Sequence, residues 1–222
     1  MSHIQNLILL EPNLMSGRFL DVGAGRGEVL IEACKRGINA QGIELNSTKV
    51  GWIRERIPTD CIVEGSAEQM PYPDMSFDFL NMCELIEHVV NPKKVLCEAH
   101  RVLNEKGKAY LSFPNRFSIC DTHFHIWFVN WFPRFMADGW VRFLKKSKVK
   151  GGVDLQQLSE MHYYTFSQFK LLAESCGFEV EDTRLRRLQK RPLKMMLYFC
   201  MRPWYFRSSH VLLKKRSSVF TL

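Results

Sequence analysis

Short apolar runs alternate with stretches of helical periodicity over residues 18–113. RFLDV (18–22), INAQGIEL (38–45), DCIVE (60–64), FDFLNM (77–82) and GKAYLSF (107–113) have the length and apolar density of buried strands. Between them, 27–36 and 47–57 repeat their apolar positions at helical spacing. Residues 92–103 make a well-marked helix, with Asn91 as N-cap, Pro92 in the first helical position and Gly107 shortly beyond the end. This alternation predicts right-handed βαβ crossovers, and hence a mostly parallel sheet with helices on both faces.

After Phe113 the rhythm breaks. Residues 114–160 are dense in aromatic side chains, among them Phe117, Phe124, Trp127, Phe128, Trp131, Phe132, Phe135, Trp140 and Phe143. Thr165 and Gln168 then form a capping box that opens a helix ending at Gly177, followed by a strand at 178–184. A second insertion, 185–207, mixes Lys and Arg with PLKMMLYFCMRPWYF, and HVLLKK (210–215) closes the chain as a last strand. The expected fold is α/β, a doubly wound sheet of seven strands with the last antiparallel. It forms one domain over 1–222, with a helical, aromatic insertion after the fifth strand.

Composition narrows the class. The chain is 46% hydrophobic and 24% charged over 222 residues, an ordinary globular balance. No apolar run is long enough to span a bilayer, and the N-terminal MSHIQNLILLEPN lacks the basic start and cleavage site of a secretory signal. Seven cysteines without a C-x-x-C or any Cys/His set at zinc spacing predict reduced core thiols in a cytoplasmic protein, and no metal. The formal charge of +8 is uneven. Eleven of the 31 Lys and Arg follow Asp182, the last acidic residue, which leaves 20 basic against 23 acidic side chains in residues 1–183. A smaller basic cluster, Lys145, Lys146, Lys148 and Lys150, closes the aromatic insertion.

FLDVGAGRGE (19–28) is the sharpest local signal for chemistry. A strand ends in Asp21, and Gly23, Gly25 and Gly27 precede a helix, so the backbone can approach a ligand closely. The dinucleotide pattern G-x-G-x-x-G is not met, because Glu28 follows Gly27, and no G-K-[ST] follows. A carboxylate at that strand end suits an ammonium or sulfonium group and repels a pyrophosphate. Glu44 ends the second strand, where a carboxylate can accept hydrogen bonds from a ribose diol. Together these features predict an adenosine site without a pyrophosphate contact.

FLDVGAGRG, GIELN, VEGSAEQMPYPDMSFDFL and CELIEHVVNPKKVLCEAHRVLNEKGKAYLSFPN occur in this order and at this spacing. In these the chain resembles the class I S-adenosylmethionine-dependent methyltransferases, most nearly the small-molecule branch with quinone-biosynthesis and glycan- or lipid-modifying members. The resemblance covers 18–115 and resumes at HYYTFSQFKLLAESCGFEV (162–180) and the last strand. It implies a cofactor core over 18–113, an acceptor lid over 114–160 and a C-terminal part over 161–222. It also implies that Asp21, Gly23, Ala24, Gly25 and Gly27 hold the methionine part of S-adenosylmethionine. Glu44 would take the ribose, with Leu45 beside the adenine. Ser66 and Ala67 stand where the family usually has Asp-Ala at the adenine edge. Cys83 lies under the cofactor as a packed residue.

His88, in the Glu87-His88 pair, matches the family's position beside the reacting methyl and is the candidate general base. His123, His125, His162 and Tyr163 are candidates for the acceptor pocket. The implied reaction is methyl transfer to a small-molecule, glycan or lipid-linked acceptor, with oxygen the expected atom. Carbon methylation of a quinone ring, RNA methylation and a non-catalytic binding protein stay open as alternatives. Nucleic acid is disfavoured, since no Asp/Asn-Pro-Pro-aromatic motif follows the fourth strand, which reads Asn81-Met82-Cys83-Glu84. The aromatic and basic insertions either pack the lid or meet an anionic membrane surface from the cytoplasmic side. With about seventeen residues before the first strand, little is expected of the N-terminus in closing the pocket.

Overall fold

The computed structural model describes residues 2–144 and 156–216. The Lys145–Lys150 cluster lies outside the described residues. Seven strands form one sheet: β1 (Arg18–Val22), β2 (Asn39–Glu44), β3 (Ile62–Glu64), β4 (Phe77–Cys83), β5 (Leu103–Pro114), β6 (Phe178–Asp182) and β7 (Ser208–Lys215). Their order is β3-β2-β1-β4-β5-β7-β6. β1 pairs in parallel with β2 and β4, β2 with β3, and β4 with β5. β7 enters between β5 and β6 and runs antiparallel to both. The expected sheet, antiparallel last strand included, is the one observed.

Alternation along each strand sorts side chains to two faces. One face carries Leu20, Val22, Leu80, Met82, Leu111 and Phe113, buried under α4 (Pro92–Val102) and α6 (Phe166–Ser175). The other carries Phe19, Phe79, Tyr110 and Leu212. They lie beneath α1 (His3–Leu10), α2 (Glu28–Lys35) and α3 (Ser47–Arg54). α1 was not expected, yet its start is written in SHIQ: Ser2 accepts from the Gln5 N–H while the Gln5 side chain accepts from the Ser2 N–H. Ile4, Leu7 and Leu10 then fall on one buried stripe. Glu11 follows the helix and receives Lys108 Nζ at 2.6 Å and Arg186 Nη1 at 3.3 Å, which ties α1 to β5 and to the C-terminal part.

The strand expected over 178–184 stops at Asp182, whose carboxylate accepts from the Arg184 and Leu185 N–H groups and so caps α7 (Thr183–Leu188). α8 (Pro192–Met201) follows, so the second insertion is a pair of short helices. The first insertion has a small core of its own, built from Ile126, Val129, Ala137, Val141, Leu158, Met161 and Tyr163. Its helix α5 (Arg134–Phe143) buries only Ala137 and Val141. The aromatic residues that dominate this segment's sequence point outward: Phe135 is 82% exposed, Phe143 74% and Trp127 66%. No helix among the described residues is long and apolar enough to cross a membrane.

Candidate functional site

The carboxyl ends of β1, β2 and β4 converge on one edge of the sheet, the usual ligand position in such folds. The loop between β1 and α2 turns there through Gly23 and Gly25, both at positive φ (71° and 59°). A side chain on Gly23 would come within 2.7 Å of Leu85 in the loop after β4. One on Gly25 would meet nothing nearer than 3.9 Å, so that position faces open space. The Gly23 and Ala24 N–H groups both donate to the Ile43 carbonyl (2.8 and 3.1 Å), and the Gly25 N–H donates to Glu44 Oε2 at 2.7 Å. With these donors turned inward, the first half of the loop is matched to a cationic group and poorly matched to a phosphate.

Asp21 is buried at the end of β1. Its Oδ1 accepts from Asn81 Nδ2 at 2.7 Å, and the Leu30 N–H in the first turn of α2 also donates to it. Burial outweighs these bonds and pushes its pKa from 3.8 up to about 6, with the nearby charge of Glu44 adding to the rise. A buried carboxylate held so high favours a positively charged neighbour. Glu44, buried at the end of β2, accepts from Gly25 through one oxygen and from the Asn46 N–H (3.0 Å) through the other. Each oxygen keeps a further lone pair for a hydroxyl. Leu45 beside it is 71% exposed, an apolar surface at the place where an adenine is expected.

Ser66 Oγ accepts from the Glu68 N–H at 3.1 Å. Glu68 in turn accepts from the Val90 and Asn91 N–H groups, both at 2.9 Å, and so pins the loop after β3 to the loop after β4. Ala67 packs against the core. Cys83 is half-buried, and burial raises its pKa, so it stays a neutral thiol.

One neighbour of this site was not foreseen. His3 Nε2, at the start of α1, lies 3.0 Å from Asn81 Oδ1 and 3.2 Å from Cys83 Sγ. The N-terminal segment therefore does cover the ends of β1 and β4. On the same face, Tyr110 Oη and His210 Nδ1 are 2.8 Å apart, and Ser208 Oγ lies 3.0 Å from His210 Nε2. Burial and the positive charge of Arg184 hold His210 down to about 4.

The proposed acceptor residues divide. His88 is exposed and Glu87 is fully buried, on the loop after β4. His123 reaches the pair from the insertion: its ring meets His88 edge-on at 5.1 Å, and its Nε2 is 3.7 Å from Glu87 Oε1. His162 donates its backbone N–H to the Glu87 carbonyl at 3.0 Å. Tyr163 instead lies in the core of the insertion, where its hydroxyl donates to Asp121 Oδ2 at 2.8 Å. His125 is exposed, at a φ of 54°.

Residues 20–111 match the family model described as "Methyltransferase domain". The chain is 34% identical over 112 residues to the ubiquinone biosynthesis O-methyltransferase of Dechloromonas aromatica, an alignment covering 47% of each chain. It is 31% identical over 137 residues to the ubiquinone/menaquinone biosynthesis C-methyltransferase of Bartonella bacilliformis, covering 56% of this chain and 53% of that one. The chain thus spans about half the length of these curated relatives. The fold is similar to a crystal structure of a Thermotoga maritima methyltransferase, a possible histamine N-methyltransferase, with a TM-score of 0.59. There the identity is 21%, and the match covers 96% of this chain and 87% of that one. Strand order, glycine loop and family match agree: residues 20–111 are similar to a methyltransferase domain, within a seven-stranded α/β fold shared with solved methyltransferases.

Proposed function

We propose that the protein moves a methyl group from S-adenosylmethionine to an oxygen of a small-molecule or lipid-linked acceptor. The observation that carries the reading is the joint placement of Asp21, the Gly23–Gly27 loop, Glu44 and Leu45 at one sheet edge. This set offers a buried carboxylate, an open glycine cradle, a diol acceptor and an apolar shelf, and it fits an adenosine bearing an aminoacyl sulfonium. When bound, that group supplies an electrophilic methyl. The chain's work is to orient the acceptor in line with it, exclude water and accept one proton. Asp21 balances the positive charge, Glu44 fixes the ribose, and Ser66 takes the adenine edge. His88, exposed on the loop after β4 whose Leu85 lies close to Gly23, is the residue assigned to take a proton from the acceptor.

Relatives named as O- and C-methyltransferases of ubiquinone biosynthesis support an acceptor of quinone-like, lipid-tailed chemistry. The outward aromatic residues of α5 and the exposed Leu193, Met196, Leu197 and Phe199 of α8 favour a protein that meets such an acceptor at an anionic membrane surface. Arg187, Lys190, Arg191 and Lys194 are exposed on or between α7 and α8, each good for about 1 kcal/mol near anionic lipid.

Calorimetric titration with S-adenosylhomocysteine tests the cofactor assignment. Saturable 1:1 binding is expected, and its absence would end the reading. Co-flotation with phosphatidylserine vesicles but not with phosphatidylcholine vesicles tests the membrane contact. Equal behaviour on both, or salt-sensitive binding to RNA alone, would count against it.

A further inference from the structure

Glu87 stands out among the buried polar groups of the described residues, because both of its carboxylate oxygens lack a hydrogen-bond partner. Its side chain is fully buried. A buried carboxylate is costly unless it is paired or coordinates a metal. Around it stand two imidazoles. His88 follows it in the chain, and His123 arrives from the insertion after β5. One ligand atom from each of the three lies within 4.8 Å of the others. Gln156 Oε1 is 2.8 Å from His88 Nδ1, the type of outer hydrogen bond that fixes the tautomer of a ligating histidine.

We propose that Glu87, His88 and His123 form a binding site for a divalent first-row transition cation, closed by the insertion onto the core. One carboxylate and two imidazoles suit zinc, iron, cobalt or manganese. Calcium and magnesium prefer all-oxygen sets. Ligation at roughly 2.0–2.2 Å needs donor atoms about 3 Å apart, so the side chains must draw together from their present separation. The exposed His88 can make that movement, while Glu87 is anchored through its backbone carbonyl to His162. Three protein ligands leave coordination positions open.

The site lies on the loop after β4 whose Leu85 stands close to Gly23, next to the side proposed for the acceptor. This last step rests on the methyltransferase reading. An acceptor oxygen bound to the cation loses its proton more readily, and His88 then acts as a ligand instead of a free base. Sequence spacing announces only the adjacent Glu87 and His88; His123, 35 residues after His88, is brought to them by the fold.

The test uses the full-length protein freed of metal by a chelator. Titration with Co²⁺ is followed by visible absorption and with Zn²⁺ by calorimetry, on the wild type, Glu87→Gln and His123→Ala. One cation per chain is expected, with ligand-field bands for cobalt and affinity at least tenfold lower in either variant. His123→Ala carries the test if Glu87→Gln does not fold. No binding, or equal affinity in the wild type and the folded variants, overturns the proposal and leaves Glu87 and His123 as an ion pair. S-adenosylhomocysteine is titrated into the same samples. Its binding without cobalt binding sinks the metal site alone, and cobalt binding without it supports the site while removing the methyltransferase reading.

Discussion

Asp21 is the residue whose replacement tests the electrostatics of the site most directly. Its pKa stands near 6 in place of 3.8, mainly because burial penalises the charge. A raised carboxyl contributes stability that is complete below its unfolded value and is lost as pH rises through the folded value. At roughly 1.4 kcal/mol per pH unit, ionising Asp21 costs the fold about 3 kcal/mol in all, of which about 2 kcal/mol is lost between pH 4 and pH 6.5. Asp21→Asn removes that loss. Urea denaturation of both proteins at pH 4.5, 5.5, 6.5 and 7.5 should show the variant gaining on the wild type by about 2 kcal/mol across the range. The absolute difference at any one pH carries the cost of a misplaced amide, so the slope is the quantity to read. The same variant should bind S-adenosylhomocysteine more weakly at pH 7.5, because the carboxylate that burial makes expensive is the one proposed to face the ammonium. Parallel stability profiles would refute the burial argument. Unchanged ligand affinity would refute the assigned role.

His210 should tilt the profile the other way. Held near 4, it stays neutral in the fold while an unfolded histidine protonates, so stability is lost as pH falls from about 6.5 towards 4. His210→Gln should abolish that loss, worth about 3 kcal/mol in urea titrations; an unaltered acid limb would show that His210 is not held neutral. In the wild type the two groups oppose each other over the same window, which predicts a flatter profile than either variant shows. Glu44→Gln keeps the shape of the side chain but loses its charge-assisted bonds. It should weaken S-adenosylhomocysteine by roughly tenfold or more in calorimetry with an unchanged circular dichroism spectrum. Leu7→Ala, in the buried stripe of α1, should cost about 2–5 kcal/mol in denaturant titrations, and a negligible cost would mean that α1 does not hold to the sheet.

How legible these features were depends on the range of the interaction. The five early strands, α4 and α6 were readable because each is signalled within about a dozen residues, by an apolar run, a proline at N1 or a capping box. The glycine loop and Glu44 were readable for the same reason, each sitting at the end of a strand that the pattern marks. α1 carries an equally local signal in Ser2 and Gln5, and was missed only because the residues before β1 were taken as too few to matter. The pairing of His3 with Asn81, of Tyr110 with His210, and of Glu87 with His123 has no local trace. Each joins positions from 36 to 100 residues apart through the register of β4, β5 and β7 or the path of the insertion. Such contacts follow from packing, and periodicity does not report them.

The same distinction decides what the basic C-terminal stretch means. Read along the chain, the eleven Lys and Arg after Asp182 form one positive block. In the fold, β7 and α7 return to the acidic body and about half of that charge is neutralised there. Arg186 meets Glu11 and Glu181, Arg202 meets Asp182, Lys214 meets Glu181, Lys215 meets Glu105 and Arg216 meets Glu174. Those contacts seat the last strand and its preceding helices on the sheet, and most are exposed enough to add little stability singly. Arg187, Lys190, Arg191 and Lys194 are exposed on or between α7 and α8, beside the exposed apolar residues of α8. A nucleic-acid surface would show such charge with hydrogen-bonding side chains and few exposed aliphatics. The exposed Leu193, Met196, Leu197 and Phe199 of α8 beside Lys190, Arg191 and Lys194 fit the proposed contact with a lipid interface better. The sign of the net charge is therefore a poor guide to the partner. The residues left between the ion pairs are the better one.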